Sequence, residues 1–189
     1  MKPIIALSIV LCSAWNCTAQ TWTPEQLAAA NTADSIVILT QEEKDVILYL
    51  NLARMYPKDF LKYEVNDDSR EDRPYITLRQ TLQSMKPVPP VYYDDRLQDL
   101  ARCFADEQSH NGKTGHKRKK CPSGYWGECL AYGDPGGRNI VLQLLIDENV
   151  PDYGHRKMCL SRDSHKVGVA TATHPKYARV SVLDFFNKN

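Results

Sequence analysis

Lys166-Val-Gly-Val-Ala-Thr-Ala-Thr173 and Tyr177-Ala-Arg-Val-Ser-Val-Leu-Asp-Phe185 are two runs rich in β-branched and aromatic residues, with His174-Pro-Lys176 between them. Such a pair reads as a β-hairpin. Most of the chain before it reads as helix and loop. Helices first and a hairpin last predict an α+β domain, with an antiparallel sheet covered by helices.

Working back from the hairpin, Asn139 to Glu148 reads as an apolar helix, with Ile140, Val141, Leu144 and Leu145 inward and Pro151 as its stop. Gly133 to Gly137 is a breaker, and Trp126 to Tyr132 reads as a short strand or turn. Residues 111 to 126 are loop. Asp94-Asp95 caps a helix whose stripe is Leu97, Leu100, Ala101, Phe104 and Ala105. Lys86 to Val91 is extended, because each proline pushes its predecessor out of helical space. Tyr75 to Met85 is a modest helix, and Pro57 to Tyr63 a short one with proline in its first turn. Thr40-Gln-Glu-Glu43 is a capping box that opens the first strong helix, running to about Met55. Asn51 and Arg54 share a face of that helix and are expected to lock it to the sheet or a loop. Residues 20 to 39 are expected to form a loosely attached N-terminal segment with one helical piece from Pro24.

The totals exclude some classes of function. With 189 residues, one domain and a real core are expected. Lysine plus arginine is 24 against 23 acids, so no basic surplus points to nucleic acid. The run His116-Lys-Arg-Lys-Lys120 reads as a solvated loop. Residues 1–19 read as a secretory signal peptide, cut after Ala19: a Lys2 start, an apolar Ile4 to Leu11, and a small residue before Gln20. The expected location is therefore secreted or in the cell envelope. A lipoprotein anchor through Cys12 or Cys17 ranks second, since neither follows the usual small residues. Loss of Lys2 leaves 23 basic against 23 acidic residues.

The mature chain keeps Cys103, Cys121, Cys129 and Cys159. In an exported protein four cysteines suggest two disulfides, with three possible connectivities. A local Cys121–Cys129 bridge would leave Cys103 with Cys159. The alternative is that Cys103 and Cys159 are buried free thiols.

The chemistry concentrates between Gly115 and Leu160, in Gly115-His116, Gly127-Glu128-Cys129, Asp147-Glu148 and Gly154-His155-Arg156. Imidazole beside carboxylate is the raw material of a metal site, an acid/base site or a polar cavity. Asp147 and Glu148 sit at a helix C-terminus, where acids oppose the dipole, so one of them is expected to have another partner. Arg156 reads as a carbonyl-capping or ion-pair residue. His110, His165 and His174 read as surface or loop histidines. Tyr92, Tyr93, Trp126 and Tyr132 read as packing residues or cavity wall. No Gly-x-Ser-x-Gly elbow, phosphate loop or His-Glu-x-x-His helix is present.

Together Asn51-Leu-Ala-Arg54, Leu97-Gln-Asp-Leu-Ala101, Gly115-His116, Gly127-Glu128, Gly154-His155-Arg156, Val167-Gly-Val169 and Leu183-Asp-Phe185 resemble the CAP superfamily, of cysteine-rich secretory, antigen 5 and pathogenesis-related 1 proteins. The resemblance covers residues 40–187 and looks closest to single-domain exported bacterial members. It implies an α-β-α sandwich and a cavity lined by His116, Glu128, Glu148 and His155, with Asp147 the rival to Glu148. Cys129 stands where the family commonly has asparagine, and Cys159 where it has an apolar residue. Both changes would fit an extra disulfide near the site.

Three readings of function follow. The first is an exported domain binding a divalent cation, zinc being the natural guess, or a small ligand, with His116 and His155 as metal ligands. The second is a metal-dependent hydrolase, with a zinc-bound water and Glu128 or Glu148 as general base. The third is a structural or interaction module of the cell envelope that binds lipid, sterol or a protein partner, with the four residues only a buried polar network.

Overall fold

The computed structural model describes residues 21–187 except Asp68 and Asp134. The expected signal peptide, with Cys12 and Cys17, lies outside the described residues. Seven helices and four strands follow in the order α1 (Pro24–Ala30), α2 (Gln41–Met55), α3 (Pro57–Glu64), α4 (Arg73–Ser84), β1 (Tyr92–Tyr93), α5 (Asp95–Asn111), β2 (Gly127–Tyr132), α6 (Gly137–Ile146), α7 (Gly154–Leu160), β3 (Ser164–His174) and β4 (Ala178–Asn187). The α+β class is as expected. The sheet order is β1-β3-β4-β2. The terminal hairpin supplies its two central strands, and β2 pairs antiparallel to β4 along its outer side. The sheet is mixed rather than wholly antiparallel, because the two-residue β1 runs parallel to β3.

The period-2 alternation of β4 sorts the two faces. Leu183 and Phe185 join Val167, Val169, Cys129 and residues of α2, α6 and α7 in the larger core. Val180 and Val182 point the other way, with Ala170 and Leu130, onto Ala101, Phe104 and Ala105 of α5. The sheet is thus enclosed by helices on both sides. Gly168 permits the α5 contact: a Cβ there would lie 2.1–2.4 Å from the Leu97–Gln98 backbone. Gln98 completes the join, donating to Val169 O at 2.7 Å and accepting from Val169 N at 2.9 Å.

The capping box forms as expected: Thr40 Oγ1 accepts from Glu43 N, and Thr40 N donates to Glu43 Oε2. Glu43 is buried and its other oxygen accepts from Thr171 N of β3, at 3.1 Å. Asn51 and Arg54 are the expected locks. Asn51 exchanges bonds with Val91 and donates to Ala30 O. Arg54 donates to the carbonyls of Pro89, Cys159, Ser161 and Ser164. Burial among carbonyls lowers its guanidinium to about 10. The N-terminal segment is not loosely attached. Ala30 and Ala33 are wholly buried, and Trp22 packs on Tyr56, Phe60 and Tyr63.

The expected disulfides are replaced by another pairing. Cys103 is bridged to Cys121, with Cα atoms 5.7 Å apart, while Cys129 and Cys159 are buried free thiols. Cys129 points into the larger core from β2 while Cys121 lies outside that core, so the local Cys121–Cys129 bridge cannot close. The bridge that exists staples the loop 112–126 onto α5.

Candidate functional site

Three chain segments meet at the edge of the sheet along β2: the loop after α5, β2 itself, and the turn joining α6 to α7. The first segment carries His116. Its neighbour Gly115 is clamped from both sides, donating its N–H to Tyr132 Oη at 3.0 Å and accepting from Gln108 Nε2 at 2.9 Å. Tyr132 in turn donates to Gln108 Oε1 at 2.8 Å. Burial pushes the Tyr132 phenol up, so it stays a neutral donor.

Glu128 and Asp184 are cross-strand partners in the β2–β4 register, on the face that α5 covers. Two acids placed opposite each other repel. Arg118 resolves this by donating to both Asp184 oxygens, at 2.7 and 2.8 Å, and to Glu128 Oε2. Its guanidinium lies between the rings of Phe104 and Tyr125, 4.4 and 4.6 Å from their centres. Burial opposes the Arg118 charge, but the two acids outweigh it and hold the group above its ordinary range. Burial pushes Asp184 up to about 7, with Arg118 pulling it down and Glu128 pushing it further up. With one cation for two carboxyls, Asp184 holds its proton to near neutral pH. The other Glu128 oxygen, Oε1, lies 2.8 Å from His116 Nδ1.

The second imidazole is held differently. α6 ends at Ile146 rather than running on to Glu148, because Asp147 adopts the left-handed conformation at φ 58°, ψ 45°. Aspartate is among the few residues that tolerate it. The reversal turns Asp147 inward, where its side chain is 1% exposed. Its Oδ2 accepts from the His155 and Arg156 amides at 3.0 and 3.2 Å, and its Oδ1 lies 2.7 Å from His155 Nδ1. Glu148 faces solvent at 62% exposure, 3.8 Å from Arg70. The acid beside His155 is therefore Asp147, and Glu148 takes no part in the pair. Arg156 is the carbonyl-capping residue expected, donating to Leu145, Ile146 and Pro74.

The two ring centres lie 6.2 Å apart with their planes inclined by 37°. His116, Glu128, Asp147 and His155 are thus brought together. A cleft of about 600 Å³ opens beside His155, walled by Leu130, Leu142, Ile146 and Val150 and edged by Asn139 and Gln143. Asp147, Glu148 and His155 line it, whereas His116 and Glu128 stand outside its lining. Among the described residues, no group of three or more His, Cys, Asp or Glu side chains could hold a metal ion.

Sequence reasoning missed Arg118 and Asp184. Arg118 lay inside a basic run that reads as solvated, and its side chain is 5% exposed. The available signal was Asp184, an acid amid Val180, Val182 and Phe185 that would need a buried partner. His174 is buried rather than superficial, between Tyr132 and Tyr177, with Nε2 at Lys113 O and Nδ1 accepting from the turn amides. Tyr132 lines the cleft, whereas Tyr92 and Trp126 are exposed.

A model of the CAP family, described as the cysteine-rich secretory protein family, matches residues 49–185. No curated protein matches the chain.

Proposed function

This chain belongs to the cysteine-rich secretory protein family, and from that premise we propose an exported domain whose His116 and His155 bind a divalent cation or a small ligand, with no turnover required. The observation that carries the reading is that each ring's Nδ1 lies against a carboxylate, at 2.8 and 2.7 Å, in rings only 6.2 Å apart. Nε2 is then the nitrogen each ring offers. A carboxylate behind a ligand histidine fixes its tautomer and makes it more basic.

The donor chemistry fits zinc in part. Two neutral imidazoles at bond lengths of about 2 Å would put their ring centres roughly 5–6 Å apart. Both acids are engaged behind the rings, so the protein supplies two nitrogens, and the remaining positions fall to water or to a ligand's own donors. Bound there, the ion would supply Lewis acidity. The residues themselves hold the rings, orient them and keep Nδ1 occupied.

A lipid or sterol is the second reading, favoured by the apolar wall of the cleft beside His155. Calorimetry of the refolded, metal-stripped mature chain against zinc tests the first. One-to-one binding that disappears in His116→Ala/His155→Ala supports it. No heat with either protein sinks it and turns attention to lipid. A hydrolase would further require turnover abolished by the same two substitutions.

A further inference from the structure

Directly behind the imidazole pair, on the opposite side of β2 from Glu128, sit the two free thiols. Cys129 follows Glu128 and points into the larger core. Cys159 lies one helical turn after His155, so the two share a face of α7. The Cys129 thiol is 3.8 Å from the His155 carbonyl, so β2 meets α7 at the turn that leads to Cys159. Both residues are wholly buried, and the only other described cysteines are bridged to each other. Among the described residues each of these thiols therefore has only the other to pair with.

We propose that Cys129 and Cys159 form a second disulfide, which joins the strand carrying Glu128 to the helix carrying His155. The oxidant is a dialkyl disulfide, either a small molecule or the active-site disulfide of a thiol oxidase. One cysteine thiolate attacks it, forming a mixed disulfide and expelling one thiolate, which takes up a proton. The second cysteine thiolate attacks the protein sulfur of the mixed disulfide and expels the other half of the oxidant. Both cysteines are oxidised and lose their protons, and the oxidant leaves as two thiols. Burial of both sulfurs places the exchange in the partly folded chain or in a local opening of α7 from β2. The proposal stands whether or not the histidines bind a cation.

The first consequence is covalent. Glu128 and His155 become linked through Cys129, the bridge and one turn of α7, so separating β2 from α7 no longer separates the two site residues. The second is stability: a bridge closing a loop of this length raises Tm by roughly 5–10 °C in a domain of this size.

The test uses the full mature chain, refolded with reduced and oxidised glutathione, quenched, unfolded and treated with N-ethylmaleimide. The expected result is no alkylated cysteine, a mobility shift on a non-reducing gel that dithiothreitol reverses, and a digest containing a Cys129 peptide joined to a Cys159 peptide. Reduction should lower Tm, and the Cys129→Ala/Cys159→Ala variant should lose that second increment while keeping the Cys103–Cys121 one. Two alkylated cysteines at positions 129 and 159, or glutathione adducts there, would overturn the proposal. A peptide joining either residue to Cys103 or Cys121 would overturn it as well.

Discussion

The two imidazole–carboxylate pairs look alike at their Nδ1 atoms and differ in everything behind them. The Asp147–His155 pair is built within nine residues. One left-handed residue turns the acid inward, and the acid then holds both the side chain and the first amides of the helix that carries its partner. The Glu128–His116 pair is assembled from a loop and two strands, and depends on Arg118 to keep two opposed acids together. The exposures follow the same division: His155 is 21% exposed and His116 54%. Equivalent contacts can therefore rest on local backbone geometry or on long-range charge balance, and they should fail differently.

The largest effect is expected on the charge-balanced side. Arg118→Ala leaves Glu128 and Asp184 buried without their cation, and should cost about 3–5 kcal/mol in urea unfolding. Adding Asp184→Asn removes one of the two opposed buried carboxyls and should recover part of that loss. A smaller cost for Arg118→Ala than for Asp147→Ala would break the comparison. Asp147→Ala is expected to cost about 2 kcal/mol, from two lost amide bonds and the lost imidazole contact.

A pH series sharpens the contrast further. The folded-state pKa of Asp184 is raised from 3.8 to about 7, burial being the main cause. Its contribution to stability is therefore complete below its unfolded value and is lost as pH rises through about 7. The Tm of the wild type should fall across that window, and the Asp184→Asn profile should be flatter. A parallel slope in both proteins would remove Asp184 as its source. The smallest effect belongs to Glu148→Ala, expected to stay within about 0.5 kcal/mol because its side chain lies in solvent. A cost near that of Asp147→Ala would mean that the wrong acid has been placed beside His155.

What was legible in the sequence was local. The Thr40 box, the stripe of α5, the alternation of β3 and β4, and the glycine-flanked histidines all announce themselves within a few residues. The choice between Asp147 and Glu148 was not legible, because it turns on one left-handed residue that a helical pattern read through to Pro151 conceals. The disulfide was missed for a related reason. Cys121 and Cys129 are close in the chain but leave β2 and its preceding loop on different sides, while Cys103 reaches Cys121 from α5. The strand β1 is two residues long and carries no period. Arg118 was hidden by its lysine neighbours, and only its pairing with residues 10 and 66 positions away identifies it as interior.

The position of β4 in the sheet bears on how the molecule is made. It lies between β3 and β2, and it is the last of the described elements. During synthesis every described helix emerges before it. A nascent chain lacking residues 178–187 therefore has β3 and β2 as strands with no common neighbour, and it lacks Asp184, the acid that with Glu128 anchors Arg118. The sheet, both of its covered faces and the support behind His116 can therefore be complete only once residues 178–187 are present.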